Sequence, residues 1–246
     1  MKFRSLKEVA KEQVDAPKII VYGAAGTGKT TALATLPGRV LILSAEAGLA
    51  SLAACERDDI TVIEIKTVQD LKDAFAYVKK HANGDEGFDV VAMDSLSEIC
   101  EVILAEAKQR EKDGRAAYGV VVDEAVKIVK AFRDVRGVAV VLICKEERVS
   151  DDGKTFFQPL MPGAKIASHL PYLFDCVFRA DIIVDKETKE RQHVFFVRGD
   201  KSFTAKDRTG ALESCEWQDF SSIMERIRQK SLTTPVEDNG EKEVTV

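Results

Sequence analysis

The chain has 246 residues, of which 45% are hydrophobic and 31% charged, and this balance is typical of a soluble globular protein. The formal net charge of -5 gives no global indication of nucleic-acid binding, so any DNA contact must come from a local basic patch. The sequence has neither the run of roughly 18 to 20 apolar residues that a membrane helix needs nor an apolar signal-peptide core. We therefore expect a cytoplasmic protein with no membrane partner.

Apolar runs that predict strands alternate along the chain with segments of helical period. Two late runs, 176–184 and 192–198, follow each other with only a polar turn between them, which predicts an antiparallel pair. A long segment, 146–164, is predicted to be irregular. The other predicted strands are 18–23, 40–44, 61–65, 89–95 and 138–144, and the predicted helices are 27–36, 68–82, 97–112, 118–135 and a short one near 165–174.

Fully apolar strands separated by helices predict a parallel sheet that is covered on both faces. The fold class is therefore α/β, with a mostly parallel central sheet flanked by helices and antiparallel strands at its C-terminal edge. We predict one domain at 17–230, preceded by an N-terminal helical extension at 1–16. The last residues, 231–246, are predicted to be a disordered acidic tail.

The first predicted strand ends in Gly23-x-x-x-x-Gly28-Lys29-Thr30, the spacing of a Walker A phosphate loop. Glycines let the backbone curl so that its N–H groups face phosphate oxygens at the start of a helix. Lys29 is suited to reach the β- and γ-phosphates, and the hydroxyl of Thr30 is suited to ligate Mg²⁺. The predicted nucleotide-binding residues are Gly23, Ala24, Ala25, Gly26, Thr27, Gly28, Lys29, Thr30 and Thr31.

Two acidic residues follow other predicted strands. Asp94, at the end of "VVAMD", fits a Walker B aspartate that holds Mg²⁺ through water; the alternative is a helix-capping aspartate. Hydrolysis also needs a group that positions the attacking water, and Ser95 occupies the place next to Asp94. Glu46, just past the second strand, is the candidate for this catalytic role; the alternative is a surface-loop glutamate.

The strand ending in "SAEAGL", the later strand ending in "MDS" and the separate glutamate resemble the RecA-type ATPases. The resemblance covers roughly 17–210 and is strongest to phage-encoded, RecA-like recombination ATPases that assist single-strand annealing. It implies a RecA core, Mg²⁺-dependent ATP hydrolysis, self-association into rings or filaments and binding of single-stranded DNA. Where many relatives have Gln or His after the fifth strand, as a polar sensor, this chain has Cys144 and Lys145.

The segment "FTAKDRTG" resembles the Lys-x-Arg finger of RecA-like ring ATPases through Lys206, Arg208 and Gly210. The resemblance implies that Lys206 and Arg208 act catalytically on the γ-phosphate bound by the next subunit, where a placed positive charge stabilises phosphoryl transfer. The alternative interpretation is a solvated basic turn.

Two further segments are candidates for binding DNA, because cations meet phosphates and exposed aromatic rings stack on bases. The alternatives are a charged helix end for the first segment and core packing of its phenylalanines for the second. The candidate residues are Lys108, Arg110, Lys112, Arg115 and Tyr118 in the first segment, and Lys154, Phe156, Phe157 and Lys165 in the second.

The leading hypothesis is a DNA-stimulated ATPase of recombination or strand annealing, with ATP and Mg²⁺ as cofactors. A nucleotide-gated loader of a single-stranded-DNA-binding or annealing protein is an alternative that shares every motif except a working Glu46. A small-molecule P-loop kinase is a further alternative, although the sequence shows no arginine-rich lid to support it. A GTPase is a weaker alternative, because no N-K-x-D motif is present. The three histidines, His81, His169 and His193, receive no role.

Overall fold

The computed structural model describes residues 3–46, 48–82, 87–151 and 153–233. Within them the chain alternates between helices and strands. The helices are α1 (Leu6–Asp15), α2 (Lys29–Ala32), α3 (Val68–His81), α4 (Leu96–Arg110), α5 (Gly114–Arg133), α6 (Ala164–His169) and α7 (Phe220–Thr233). The strands are β1 (Lys18–Gly23), β2 (Val40–Ser44), β3 (Ile60–Glu64), β4 (Val90–Asp94), β5 (Ala139–Asp151), β6 (Lys154–Pro159), β7 (Cys176–Val184), β8 (Arg191–Phe196), β9 (Lys206–Asp207) and β10 (Cys215–Trp217).

A single sheet organises the described residues, with the main strand order β10-β8-β7-β1-β5-β4-β2-β3. Strands β3, β2, β4, β5, β1 and β7 run parallel, whereas β8 is antiparallel to β7 and β10 is antiparallel to β8. The predicted α/β class, with a mostly parallel central sheet flanked by helices and antiparallel strands at its C-terminal edge, is confirmed. Parallel strands bring all their carboxyl ends to one edge of the sheet, which is called the carboxyl edge below.

The inner strands β1, β2 and β4 and the central part of β5 are buried on both faces because their side chains alternate between two cores. On β1, Ile20 and Tyr22 join the core under α3, α4 and α5. Ile19 and Val21 point the other way, into the core covered by α2 and α7. These two layers fix the strands firmly, so their carboxyl ends form a rigid base for the loops that follow.

The segment predicted to be irregular, 146–164, is instead largely an antiparallel hairpin. Strand β5 continues beyond the central sheet to Asp151, and β6 returns beside it in a register that pairs Arg148 with Phe157 and Asp151 with Lys154. Gly153 has a φ of 75°, which glycine adopts readily. The polar turn around Gly153 suggested a loop, but the β-branched and aromatic residues on either side favour strands.

The N- and C-terminal helices pack on the second core. Helix α1 begins at Ser5 in a capping box with Glu8, and none of its residues is buried. Helix α7, which the sequence analysis does not predict, buries Phe220 and Ile223. Residues 234–246, most of the predicted acidic tail, lie outside the described residues, and the predicted domain limits remain a prediction.

No helix in the described part of the chain is both long and apolar enough to cross a membrane. The cysteines are unpaired, and Cys100 and Cys144 are buried, as expected of small core residues.

Candidate nucleotide-binding and hydrolysis site

A cavity of about 330 Å³ opens at the carboxyl edge of the sheet, between the ends of β1, β2, β4 and β5. The phosphate loop forms one side, since Ala25, Gly26, Gly28, Lys29, Thr30 and Thr31 all line the cavity. The opposite side carries Glu46, Asp94 and Lys145. Six of the predicted nucleotide-binding residues therefore share one space with Asp94, the second candidate metal ligand, and Glu46, the candidate catalytic residue.

The phosphate loop has the backbone that its glycines permit. Gly26 and Gly28 have φ values of 78° and 89°, in the left-handed region that other residues rarely adopt. The Lys29 ammonium donates to the carbonyl oxygens of Gly23, at 2.8 Å, and Ala24, at 2.7 Å. The hydroxyl of Thr27 also donates to the Ala24 carbonyl, at 2.9 Å. These bonds hold the loop closed around its own lysine.

The Lys29 ammonium lies in a partly desolvated position among carboxylates. Burial lowers the pKa of Lys29 from its ordinary value, while the nearby charges of Glu46 and Asp94 oppose that shift. An ammonium that loses hydration in this way gains most from a strongly negative ligand such as a nucleotide phosphate.

Thr30 and Asp94 form the candidate magnesium site. The Thr30 hydroxyl donates to Asp94 Oδ2 at 2.8 Å, and Asp94 is only 2% exposed. Burial raises the pKa of Asp94, and the hydrogen bond from Thr30 acts in the opposite direction. The peptide bond between Asp94 and Ser95 is cis.

The donor set at this place fits Mg²⁺, which prefers oxygen ligands and usually binds through one or two protein groups plus phosphates and water. Among the described residues, no group of three or more His, Cys, Asp and Glu side chains is arranged to hold a metal ion. Thr30 and Asp94 are therefore suited to hold the magnesium of a Mg²⁺–nucleotide complex rather than a free ion.

Glu46 lies next to Asp94 because β2 and β4 pair in parallel, with Ser44 opposite Asp94. The backbone N–H groups of Ala45 and Glu46 both donate to the Asp94 carbonyl. The Ser95 hydroxyl donates to Glu46 Oε1 at 2.5 Å, so the carboxylate has a fixed position in the cavity. The structure thus brings Glu46 to the phosphate loop, while its catalytic role remains a prediction.

Sequence reasoning missed two residues that brace the phosphate loop from the antiparallel edge. Gln218 donates to the Thr27 carbonyl at 2.8 Å, and His193 Nδ1 lies 3.1 Å from the same oxygen. A Cβ on Gly28 would lie 2.6 Å from Gln218 Oε1 and 2.7 Å from His193 Nδ1. Gly28 thus allows a close approach as well as a positive φ. The two bracing residues are far from the loop in sequence, and no motif spacing indicated them.

The candidate finger residues lie at the other end of the sheet, which is called the amino edge below. Lys206 pairs with Val177, near the beginning of β7, whereas the phosphate-loop end of β1 pairs with Arg179 further along that strand. The Arg208 guanidinium lies 3.7 Å from Asp175 and donates to the Tyr172 carbonyl at 3.3 Å. Burial and the charge of Arg208 lower the pKa of Lys206. Neither cation joins the phosphate loop of its own chain.

The first candidate DNA segment forms the corner between α4 and α5, which is called the α4–α5 corner below. Its candidate residues are exposed: Lys108 and Arg110 in the last turn of α4, Lys112 between the helices, and Arg115 and Tyr118 in α5. All five side chains are therefore accessible to a binding partner.

The second candidate DNA segment is less uniform. Lys154 is exposed and Phe156 is half-buried on the β5–β6 hairpin. Phe157 packs inward instead: the Arg179 guanidinium lies 4.6 Å from its ring centre, and its carbonyl accepts a hydrogen bond from Tyr22 at 3.2 Å. Phe157 is partly buried against the core, which agrees with the alternative of core packing, and its candidate role in stacking on bases stays a prediction. Lys165 lies in α6, and its side chain is outside the described residues.

Solved structures of other proteins match this chain, and one of these matches is distant. A KaiC-like protein from the hyperthermophilic archaeon Pyrococcus horikoshii OT3 is 15% identical, with a TM-score of 0.41 over 75% of this chain and 79% of that chain. Among curated proteins, none matches this chain.

A family model matches most of the sequence. Residues 15–209 match the family described as AAA domain, and the matched range contains the phosphate loop, Glu46 and Asp94. The match covers far more than half of the chain and agrees with the Walker A loop and the cavity at the carboxyl edge. The chain therefore belongs to this AAA domain family and is a P-loop ATPase that binds nucleotide.

Proposed function

We propose that this P-loop ATPase hydrolyses Mg²⁺–ATP, binds single-stranded DNA and acts in DNA recombination or strand annealing. The observation that supports this function best is the position of the two candidate DNA segments. The α4–α5 corner and the β5–β6 hairpin both lie on the side of the molecule that carries the phosphate loop.

The hairpin leaves the sheet directly beside the phosphate loop. Lys145 pairs with Gly23 in the central sheet, and β5 continues from there into the hairpin. On the other side, Val68, soon after the carboxyl end of β3, donates its N–H to Glu106 of α4 at 2.9 Å. Arg110 lines a cavity with Lys66 and Thr67 at the same place. A strand of DNA that follows the carboxyl edge would meet both segments.

The charge of the α4–α5 corner suits a phosphate backbone. Residues 108–115 contain four cations against Glu111 and Asp113, which gives a local charge of +2 in a chain with a net charge of -5. Tyr118, 47% exposed, provides an aromatic face beside these cations. Exposed cations interleaved with an aromatic ring are typical of sequence-tolerant binding to single strands.

The cavity at the carboxyl edge provides the groups that hydrolysis requires. Lys29 would hold the β- and γ-phosphates, and Thr30 and Asp94 would hold Mg²⁺, which neutralises phosphate charge when bound. Glu46 would take a proton from the water whose oxygen forms a bond to the γ-phosphorus. The bond between that phosphorus and the bridging oxygen breaks, and ADP and inorganic phosphate leave.

Hydrolysis in this proposal depends on assembly. Arg208 and Lys206 at the amino edge would reach the γ-phosphate bound by the next copy, so that a ring or filament completes each site. A head-to-tail contact of this kind generates rings if it closes and filaments if it does not. A single-stranded-DNA-binding or annealing protein is the further partner that this function implies.

ATP hydrolysis by the purified protein, measured with and without single-stranded DNA, tests the proposal. We expect DNA to raise the rate. Replacing Lys108, Lys112 and Arg115 together with Ala should remove that increase and make the log–log salt dependence of DNA binding less steep by about 2. The matched control replaces Lys72, Lys79 and Lys80 of α3, three exposed lysines, with Ala.

The outcomes separate the alternatives. If the rate of ATP hydrolysis is the same at every DNA concentration, DNA is not part of the function. ATP binding without hydrolysis would favour the nucleotide-gated loader. If the α3 control loses the stimulation equally, the total charge of the protein determines DNA binding, rather than the α4–α5 corner.

A further inference from the structure

Lys145 lies between two carboxylates at the mouth of the nucleotide cavity. Its Nζ is 2.5 Å from Glu98 Oε2 and 3.8 Å from Glu46 Oε1. The side chain is 46% exposed and lines the same cavity as Lys29 and Thr30. In this arrangement Lys145 is engaged mainly by Glu98, a residue of α4 that is not part of the phosphate loop or of the candidate magnesium site.

The backbone of Lys145 is fixed, so only its side chain is able to change partners. The Lys145 N–H donates to the Ser97 hydroxyl oxygen at 3.0 Å, and the Leu160 N–H donates to the Lys145 carbonyl at 2.8 Å. Ser97 in turn donates to the Leu160 carbonyl at 2.8 Å. These bonds join the start of α4 to β5 and to Leu160, the residue that follows β6.

Glu98 is connected to Glu46 by a second route. The Ser95 hydroxyl donates to Glu46, and it accepts the N–H of Glu98 at 3.2 Å. Glu46, Ser95, Glu98 and Lys145 therefore form a closed ring of contacts beside the candidate magnesium site.

We propose that Glu98 competes with the γ-phosphate of bound nucleotide for Lys145, and that this competition sets the preference of the site for ATP over ADP. The proposal rests on the proposed function, in that it takes the cavity to be the ATP site. With ADP, Lys145 stays with Glu98. With ATP, the ammonium exchanges Glu98 for the γ-phosphate, which carries more negative charge than one carboxylate.

The physical basis is the weakness of the existing ion pair and the stability of the charge on Lys145. Both partners of the pair are substantially exposed, at 46% and 33%, and exposed ion pairs contribute little net stability. Breaking this pair in exchange for a more highly charged partner therefore costs little free energy. The hydrogen bond from Lys145 to Glu98 raises the pKa of Lys145, so the ammonium keeps its charge at neutral pH before it exchanges.

Binding of a non-hydrolysable ATP analogue and of ADP, measured by calorimetry, tests the proposal on the full chain. Lys145→Met should weaken binding of the analogue by roughly tenfold, the range of one charged hydrogen bond, and leave ADP binding unchanged. Glu98→Gln should raise the ratio of analogue affinity to ADP affinity several-fold. In the double variant Glu98→Gln/Lys145→Met, the effect of Glu98→Gln should disappear.

Glu101→Gln is the matched control, because it removes the same charge one turn along α4 and Glu101 acts on the pKa of Lys145 less than Glu98 or Glu46 does. It should leave the affinity ratio unchanged. The proposal is overturned if analogue and ADP affinities change together, if Glu98→Gln acts equally with Met at position 145, or if Glu101→Gln has the effect of Glu98→Gln. A wild-type protein that binds neither nucleotide would instead refute the assignment of the ATP site.

Discussion

The two edges of the central sheet present their charged residues in different ways. At the carboxyl edge, Lys29, Thr30, Asp94 and Glu46 surround one cavity, and each is held by hydrogen bonds within the chain. At the amino edge, Arg208 is 56% exposed, and its side-chain contacts, at 3.3 and 3.7 Å, are long. The first set is preorganised, whereas Arg208 is free to turn towards another partner.

Strand direction explains the difference. Parallel strands place their carboxyl ends at one edge of the sheet, and the phosphate loop, Asp94 and Glu46 lie at or just after such ends. A single chain therefore brings them together. Lys206 and Arg208 lie at and just after β9, which is antiparallel to the beginning of β7. A single chain therefore separates these cations from its own phosphate loop, and a finger role is open only between two copies.

The largest expected effect tests whether Arg208 at the amino edge acts on a neighbouring copy. Arg208→Ala should lower kcat for ATP hydrolysis by about 10³-fold, the size expected when a trans-acting arginine is removed, with little change in nucleotide affinity. Mixing it with Glu46→Gln protein, which is also inactive, should partly restore activity. The mixed assembly contains sites with both an intact Glu46 and an intact Arg208 from the neighbour.

The mixing experiment has a control in Arg191→Ala, an exposed arginine at the start of β8. That variant should keep its activity alone. If no mixing ratio restores hydrolysis while both inactive proteins are folded and still associate, Arg208 does not act across subunits.

Glu46→Gln alone should lower kcat by roughly 10²-fold or more, since the amide keeps the shape of the side chain but does not accept the proton of the attacking water. Nucleotide binding should persist, because Lys29 and Thr30 are untouched. Glu64→Gln, at the exposed end of the neighbouring strand β3, removes a comparable charge outside the cavity and should be silent. Full activity of Glu46→Gln would remove this residue from the mechanism.

The meeting of the candidate site residues at the carboxyl edge was predictable because strand ends carry them. A Gly-Lys-Thr loop, an aspartate and a glutamate that each follow an apolar strand must meet at one edge once the strands are parallel. The same logic failed for contacts made by antiparallel pairing. His193 reaches the phosphate loop because β8 pairs with β7 in a register that sets His193 opposite Ile182, and that register is not visible in a motif.

Other differences between prediction and structure arise from tertiary packing. The exposed cations of the α4–α5 corner were predictable from composition, but the inward position of Phe157 depends on Arg179, a partner 22 residues later in the chain. The pairing of Lys145 with Glu98 likewise requires the start of α4 to lie beside the end of the central part of β5. Distant pairs of this kind are set by tertiary packing, so a single sequence does not show them.

A smaller effect tests whether Gln218 supports the phosphate loop at the carboxyl edge. Gln218→Ala removes one of the hydrogen bonds on the Thr27 carbonyl, which is worth about 1 kcal/mol, and should weaken ATP and ADP binding by a similar factor of about five. Gln69→Ala, on the exposed surface of α3, is the control. A change in the ratio of ATP to ADP affinity would show that Gln218 acts on the γ-phosphate rather than on the shape of the loop.

The last prediction concerns stability rather than activity, and it rests on Lys18 at the amino edge. The Lys18 ammonium donates to the carbonyls of Val135, at 2.8 Å, and Val138, at 2.5 Å. Burial lowers the pKa of Lys18 to about 8, below the ordinary value of about 10.5 that applies to the unfolded chain. Between these values the unfolded chain binds a proton that the folded chain has released. Raising the pH through this window therefore favours the folded state.

We expect this group to add about 2 kcal/mol to the free energy of unfolding between pH 7 and 9.5. Urea unfolding of the wild type and of Lys18→Met at both pH values measures it, because the difference between the proteins cancels the titration of the other groups. The increment should be present in the wild type and absent in the variant, whatever the variant loses at pH 7. An equal pH response in both proteins would mean that the two carbonyls and Asp175 compensate for the lost hydration of the ammonium. The amino edge would then hold its buried cation as firmly as the carboxyl edge holds Lys29, and the contrast between the two edges would rest on Arg208 alone.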